Sequence, residues 1–127
     1  MIRGQVKLRP TTIRVGSTVR AVYDQAHLAW RAGAISSWHY GKRSPEDSTV
    51  VWRIDGTEYD AKDRPGVAAA IEAACSRAGI AHAVFGESWC GYRTVTVAYV
   101  DGTRSVERYD STAGVVTRDR VATEAAA

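Results

Sequence analysis

Two segments of this chain, roughly residues 49–61 and 93–109, have apolar β-branched and aromatic residues around an Asp-Gly dipeptide. Asp-Gly between β-branched and aromatic residues supplies the positive φ angles of a tight turn. Both segments are therefore predicted to form β-hairpins. Their short sequence similarity is explained as well by convergent turn chemistry as by a duplication.

Two other stretches have apolar residues at helical spacing. The first is predicted to begin at Ser17, a favourable N-cap, and to stop at Gly33. Its packing face carries Val19, Val22, Tyr23, Ala26 and Trp30, and its polar face carries Arg20, Asp24, His27 and Arg31. The second is predicted to begin at the cap Asp63, with Pro65 in its first turn, and to run to Gly79.

Residues 2–15 and 80–85 have the pattern of further strands, so the predicted order is β-α-ββ-α-β-ββ. Fifteen Val against two Leu favour a core dominated by β-sheet. We therefore expect an α+β fold in which a single-domain antiparallel β-sheet carries two helices.

The chain is expected to divide into a compact α+β domain, residues 1–110, and an extended C-terminal tail, residues 111–127. Within the tail, Val115 to Val121 is strand-like but detached, which favours packing on a neighbouring subunit and hence a homo-oligomer. Residues 34–48 are predicted to form a long connection, and long connections in compact domains are often functional.

The chain of 127 residues is long enough to bury a core without metal or disulfide bonds. It has no apolar run of about 18 residues for a membrane span, and its N-terminus does not resemble a signal peptide. A cytoplasmic location in a bacterial host cell is expected, with no membrane partner. Cys75 and Cys90 are then expected to be thiols, although a bridge between them stays open.

Composition changes this picture, because fourteen of the seventeen basic residues are Arg and ten of the eleven aromatic residues carry a polar atom. Such groups stack on planar rings and bind phosphates with paired hydrogen bonds. The net charge is only +3 and no basic stripe is visible, which favours a small anionic ligand over duplex DNA. A high-GC genome would produce the same bias towards Arg, so the composition alone does not decide.

Spacing argues against several kinds of site. No His or Cys pair has zinc-ligand spacing, no nucleophile motif is present, and phosphate-binding glycine loops are missing. The acidic cluster is explained by turn and cap residues, which are Asp55, Glu58, Asp60 and Asp63. We therefore expect no metal, no cofactor and no enzymatic activity.

Two segments interleave aromatic residues with cations. Residues 85–93 provide Phe85, Trp89, Tyr92 and Arg93, and residues 38–43 include Trp38 and Arg43. Further cations come from the last hairpin and tail, namely Arg104, Arg108, Arg118 and Arg120. Stacking and paired Arg hydrogen bonds would suffice for a nucleotide pocket at a subunit interface. The competing interpretation is that Trp38 and Trp89 close the edges of a small core.

In its size, its sheet with two helices, its aromatic loop from Phe85 to Tyr92 and its C-terminal arginines, the chain resembles the phage anti-Thoeris signal sponges. These small proteins bind and sequester immune messengers of the cyclic ADP-ribose type without degrading them. The resemblance implies Phe85 against the adenine and Arg108, Arg118 and Arg120 around the pyrophosphate. It also implies hexamers and a second site for cyclic oligonucleotides, where Arg31 is the corresponding residue.

The preferred hypothesis is a non-enzymatic protein that captures a small adenine-containing cyclic nucleotide. Its predicted ligand-binding residues are Phe85, Trp89, Tyr92, Arg93, Arg108, Arg118 and Arg120, with Arg31, Trp38 and Arg43 at a second site. One alternative is a small nucleic-acid-binding regulatory module that contacts single strands through Trp38 to Arg43. Another is a protein-interaction domain with no small ligand.

Overall fold

The fold comprises two helices and eight strands within the residues that a computed structural model describes, which are 7–8, 18–89 and 92–122. For residues 7–8 and 87–89 only the backbone is described. In chain order the elements are β1 (Lys7–Leu8), α1 (Val19–Arg31), β2 (Trp38–Ser44), β3 (Asp47–Ile54), β4 (Thr57–Asp60), α2 (Arg64–Arg77), β5 (Ile80–Trp89), β6 (Tyr92–Tyr99), β7 (Thr103–Asp110) and β8 (Val115–Ala122).

The strands form two antiparallel sheets, one in the order β1-β5-β6-β7-β8 and the other in the order β2-β3-β4. Helix α1 contacts β2 and β5, and α2 contacts β3 and β5, so each helix touches both sheets. The α+β class is confirmed. The strands are divided between two sheets, however, and do not form the single sheet that we expected.

Both predicted hairpins are present. Between β3 and β4, Asp55 and Gly56 have φ angles of 51° and 82°, and Ile54 lies opposite Thr57. This is the two-residue turn that Asp-Gly favours. The turn between β6 and β7 is one residue longer and ends at Gly102, whose φ angle is 86°.

The segment predicted as a long connection, residues 34–48, contains strand β2. It pairs with β3 from Trp38 opposite Ile54 to Ser44 opposite Asp47, with an irregularity near Lys42. The pattern failed here because Gly41 and two adjacent cations interrupt the alternation. The pairing is supplied by β3, whose Val51 and Trp52 are buried.

The C-terminal segment is not detached over residues 115–122. Strand β8 pairs with β7 of the same chain in an unbroken register, from Thr103 opposite Ala122 to Asp110 opposite Val115. All eight residues of β8 are nevertheless exposed, so the strand is held mainly by its ladder with β7 and by side chains at its inner face. Residues 123–127 lie outside the described part of the chain.

Capping residues account for both helix starts. The Asp63 side chain accepts a hydrogen bond of 3.0 Å from the backbone N–H of Gly66, which confirms the predicted start of α2. The cap of α1 is Thr18, whose Oγ1 accepts from the Ala21 N–H at 3.1 Å. Ser17, the predicted cap, lies outside the described residues.

One buried cluster joins both helices and both sheets. Its largest side chains are Trp52, Phe85, Leu28, Ile71 and Val22. Trp52 also donates its indole N–H to the Ala61 carbonyl at 3.2 Å, so the polar atom of this core residue is satisfied. Among the described residues, neither helix has the length and apolar character needed to cross a bilayer.

Trp52→Ala should reduce the free energy of unfolding by about 3–5 kcal/mol, because it opens a cavity where the β2-β3-β4 sheet meets the helices. Urea unfolding followed by circular dichroism measures this loss. Val100→Ala at a strongly exposed position is the control and should change stability by no more than about 0.5 kcal/mol. Equal effects of the two substitutions would contradict the assignment of Trp52 to the core.

Candidate functional site

Helix α1 presents an aromatic stripe, because Tyr23, His27 and Trp30 are spaced four and three residues apart and so lie on one face. Together with Trp38 at the start of β2 and with Ser36 and Ser37, they line an open cleft of about 480 Å³. We call this cleft the aromatic pocket. Its volume is within the range of small-molecule sites.

The rings of the aromatic pocket are set at steep angles to one another. Tyr23 and Trp38 meet edge to face, with centroids 4.6 Å apart and planes at 89°. Trp30 is 44% exposed and Tyr23 is 39% exposed, so both retain surface towards solvent. The Arg20 guanidinium lies 5.6 Å from the Tyr23 centroid and is paired with Asp24. The pocket therefore offers flat apolar surface with a cation at its rim.

His27 connects the aromatic pocket to the core. Its ring stacks on that of Phe85 at 5.9 Å, with the planes 26° apart. Burial lowers the pKa of His27 from its ordinary value of 6.5, and the positive charges of Arg31 and Arg93 lower it further, against an opposing effect of Asp24. The imidazole is therefore neutral near pH 7.

A buried carboxylate contacts Arg31, the residue one helical turn after His27 on α1. The Glu107 side chain on β7 is only 1% exposed. Its Oε1 pairs with the Arg31 guanidinium and accepts a hydrogen bond of 2.6 Å from the Tyr92 hydroxyl, and its Oε2 lies 2.6 Å from Arg118 Nη2. We call Arg31, Tyr92, Glu107 and Arg118 the Glu107 cluster.

Backbone and ring contacts complete the Glu107 cluster. Arg31 donates to the Arg93 carbonyl at 2.7 Å and lies 4.7 Å from the Tyr92 ring centroid. Arg118 donates to the Arg31 carbonyl at 3.0 Å. Tyr92 stacks on Tyr109 at 4.6 Å, and burial followed by the hydrogen bond to Glu107 raises the pKa of Tyr92. The cluster thus ties α1 to three strands of one sheet.

Three predicted residues from distant parts of the chain meet in this cluster, namely Arg31, Tyr92 and Arg118. Arg93 lies next to it, with its guanidinium 4.3 Å from the Phe85 centroid. Phe85 itself is 2% exposed and is covered by His27 and Arg93. A stacking role for Phe85 against an adenine therefore disagrees with its burial in the core.

The three arginines expected around a pyrophosphate are not together. Glu107 lies opposite Arg118 and the next pair is Arg108 opposite Thr117, so Arg108 points to the other face of the sheet. Arg120 lies on the same face as Arg118, but it binds Asp101 at 3.0 Å and Thr103 at 3.0 Å. Its guanidinium also covers the Tyr99 ring at 3.9 Å.

The predicted second site is likewise divided. Trp38 lines the aromatic pocket, whereas Arg43 pairs with Asp47 at 3.1 Å near the other end of β2. The two are five residue steps apart along the strand, which is roughly 16 Å. Arg31 belongs to the Glu107 cluster and is not on an open polar face. The side chain of Trp89 and the whole of Cys90 lie outside the described residues.

Sequence reasoning missed the aromatic pocket and Glu107. Tyr23 and Trp30 were assigned to the packing face of the first helix and His27 to its polar face, although the three share one stripe. Their spacing, followed by Trp38 after a short connection, was the available signal. Nothing in the sequence predicted that Glu107 is buried. A glutamate is common in an exposed strand, and the burial of this one depends on the distant residues Arg31 and Arg118.

Other groups add no further candidate. Among the described residues, no set of three His, Cys, Asp or Glu side chains is placed to hold a metal ion. Cys75 is buried in α2, and burial raises the pKa of its thiol to about 11. It is therefore protonated and shielded at neutral pH.

Glu107→Gln should destabilise the fold by about 3–5 kcal/mol, because it leaves the Arg31 and Arg118 guanidiniums facing each other without a countercharge. Tyr92→Phe should cost about 1.5–3 kcal/mol, since only one hydrogen bond to the carboxylate is lost. Chemical unfolding of both variants measures these differences. Tyr109→Phe, which keeps the ring stack and the Tyr92 hydroxyl, is the control. A Glu107→Gln variant as stable as the wild type would refute the role of the carboxylate.

His27 should make the fold less stable in acid. Because its folded pKa is below 6.5, the unfolded chain binds the proton first, and the free energy of unfolding should fall as the pH drops through 6.5. His27→Gln should flatten this part of the profile of stability against pH. His82→Gln, at an exposed position of β5, is the matched control for replacing an imidazole by an amide. Identical slopes for the wild type and His27→Gln would contradict the assignment.

No protein-family model matches this chain, and comparisons with the curated proteins and with the solved structures found no match.

Proposed function

We propose that the protein is a non-enzymatic binding protein that captures a small adenine-containing cyclic nucleotide, with the base in the aromatic pocket. The observation that carries this proposal is the open cleft lined by Tyr23, His27, Trp30 and Trp38, next to a cluster with surplus positive charge. The resemblance to anti-Thoeris sponges adds the role of sequestering an immune signal for a phage.

The aromatic pocket suits a flat heterocycle. The exposed surfaces of Trp30 and Tyr23 can stack on a base, and each such contact contributes about 1–3 kcal/mol. Ser37 at the pocket wall offers a hydroxyl group to the polar edge of a ring, whereas the Ser36 hydroxyl donates to Asp55 at 2.8 Å. His27 stays neutral, so one ring nitrogen donates a hydrogen bond and the other accepts one.

Positive charge beside the pocket suits a phosphate. In the Glu107 cluster two guanidiniums face one carboxylate, and Arg93 lies beside them on Phe85. The positions of His27 and Arg31, one turn apart on α1, place this charge close to the inner end of the pocket. Burial is the main cause of the lowered pKa of His27, but Arg31 and Arg93 lower it further, so their positive charge acts at this residue, and positive charge attracts an anion.

Binding is favoured over catalysis by the state of the candidate acid and base groups. The Glu107 oxygens are engaged by Arg31, Tyr92 and Arg118, which leaves the carboxylate poorly placed to accept a proton from a ligand. The pocket residues come from α1 and the segment that follows it in a single chain.

Thermal-shift titration tests this proposal with cyclic ADP-ribose, 3′,5′-cyclic AMP and AMP, with choline as a cationic control. A ligand at about one hundred times its dissociation constant adds about 2.7 kcal/mol to stability, which is a measurable rise in Tm. We expect a rise with at least one adenine nucleotide and none with choline. Absence of any rise with all three nucleotides would refute the proposal.

Variants locate the site in the same assay. Trp30→Ala should abolish the nucleotide-dependent rise in Tm while leaving the unliganded fold intact, since the residue is half exposed. His39→Ala, at an exposed position of β2, is the control and should retain it. Mass spectrometry of the bound fraction should recover intact nucleotide, whereas recovered fragments would indicate an enzyme. A steep loss of binding with salt would indicate the nucleic-acid-binding alternative.

A further inference from the structure

Strand β8 ends the larger sheet, and in the described part of the chain no strand lies beyond it. Its outer edge therefore presents backbone N–H and C=O groups to solvent over eight residues. Such an edge can pair with a strand of another chain, and proteins usually block it with proline, a β-bulge or charged side chains.

These protective features are weak in β8. The strand contains no proline, and its register against β7 has no irregularity. Two of its three charged side chains turn back onto their own chain: Arg118 binds Glu107 and the Arg31 carbonyl, and Arg120 binds Asp101 and Thr103. Both guanidiniums are therefore held against their own chain and guard the edge poorly.

The strand also exposes apolar side chains suited to β-structure. Val115, Val116 and Val121 are three of the seven large hydrophobic residues that are exposed in the described part of the chain. Val115 and Val121 are six residues apart on one strand, so their side chains lie on the same face of the sheet. Their partners on β7 are Asp110 and Arg104. They flank the centre of the strand at equal distances.

From this arrangement we propose that the outer edge of β8 pairs antiparallel with β8 of a second copy of this chain, with Arg118 on the two-fold axis. This register places Val115 opposite Val121 of the second copy, twice by symmetry. It also places Thr117 opposite Asp119 of the second copy, which allows a hydroxyl to donate to a carboxylate. The two sheets then continue as one.

Two symmetric registers adjoin this one, and both are less favourable. With Thr117 on the axis, the ladder within β8 shortens to five residues and Val115 faces Asp119 of the second copy, so the valine pairs are lost. With Asp119 on the axis, Asp119 faces itself and Arg118 faces Arg120 of the second copy, so like charges are directly opposite three times. With Arg118 on the axis there is one such pair, and both of its guanidiniums are held at Glu107. A second copy is the occupant favoured here because this register makes the edge complementary to itself.

The pairing involves one ladder of roughly seven residues, about 23 Å long. Such a contact is smaller than the interfaces of permanent dimers, so we expect a reversible dimer whose population rises with protein concentration. This proposal concerns the sheet edge and does not depend on a nucleotide in the aromatic pocket.

Sedimentation velocity of the full chain over a wide concentration range tests the proposal. The wild type should shift from monomer to dimer. Val115→Lys/Val121→Lys puts like charges opposite each other twice and should raise the dissociation constant of the dimer by about tenfold or more. Val115→Lys/Val121→Glu puts opposite charges there and should retain the dimer. Val100→Lys in the β6–β7 turn is the matched control and should dimerise like the wild type.

The outcomes separate cleanly. A wild type that stays monomeric at every concentration overturns the proposal. A dimer that the two-lysine variant forms as readily as the wild type uses another surface, which also overturns it. If both double variants lose the dimer while circular dichroism shows that they are folded, the proposed register is wrong. Nucleotide binding in the Tm assay is measured independently of all these results.

Discussion

The buried charge of Glu107 is the constraint on which the arrangement of α1 and the larger sheet depends. A carboxylate that is 1% exposed is tolerable only when cations and donors replace its water, and here Arg31, Tyr92 and Arg118 do so. These partners come from three different elements. The charge of the carboxylate is therefore compensated in full only when the end of α1, β6 and β8 all reach β7.

This requirement also specifies the register of β8. A slip of one residue along β7 would move Arg118 to the opposite face of the sheet and leave Glu107 short of a partner. Since every residue of β8 is exposed, hydrophobic burial contributes little to its choice of register. We infer that this ion pair sets the position of a strand that has little core of its own.

The same anchor orients the aromatic pocket. Trp30 and Arg31 are adjacent on α1, so their side chains point in directions about 100° apart. With the Arg31 side chain held against β7, Trp30 is turned towards the cleft and His27 lies between the two. The candidate site is thus a consequence of how the end of α1 is fixed to the sheet.

The parts of the fold that follow from local chemistry could be read from the sequence, and those that need distant partners could not. The Asp55-Gly56 turn and the Asp63 cap depend on a few adjacent residues and were predicted correctly. Strand β2 was not predicted because Gly41 breaks its alternation, and β8 was predicted to be detached because only its pairing with β7 shows its place in the sheet. The neighbours of Arg118 depend on that same register, so the candidate site was only partly predicted.

The number of arginines overstates the positive charge that the folded chain offers to a ligand, because carboxylates of the same chain neutralise most of the guanidiniums in the described ion pairs. In most of the described ion pairs, one guanidinium is neutralised by one carboxylate. These pairs are Arg20 with Asp24, Arg43 with Asp47, Arg53 with Glu58 and Arg120 with Asp101. Around Glu107, by contrast, two guanidiniums share one carboxylate. The surplus charge that an anion would recognise is therefore local, and it lies one helical turn from the aromatic pocket. A count of arginines over the whole chain could not have located it.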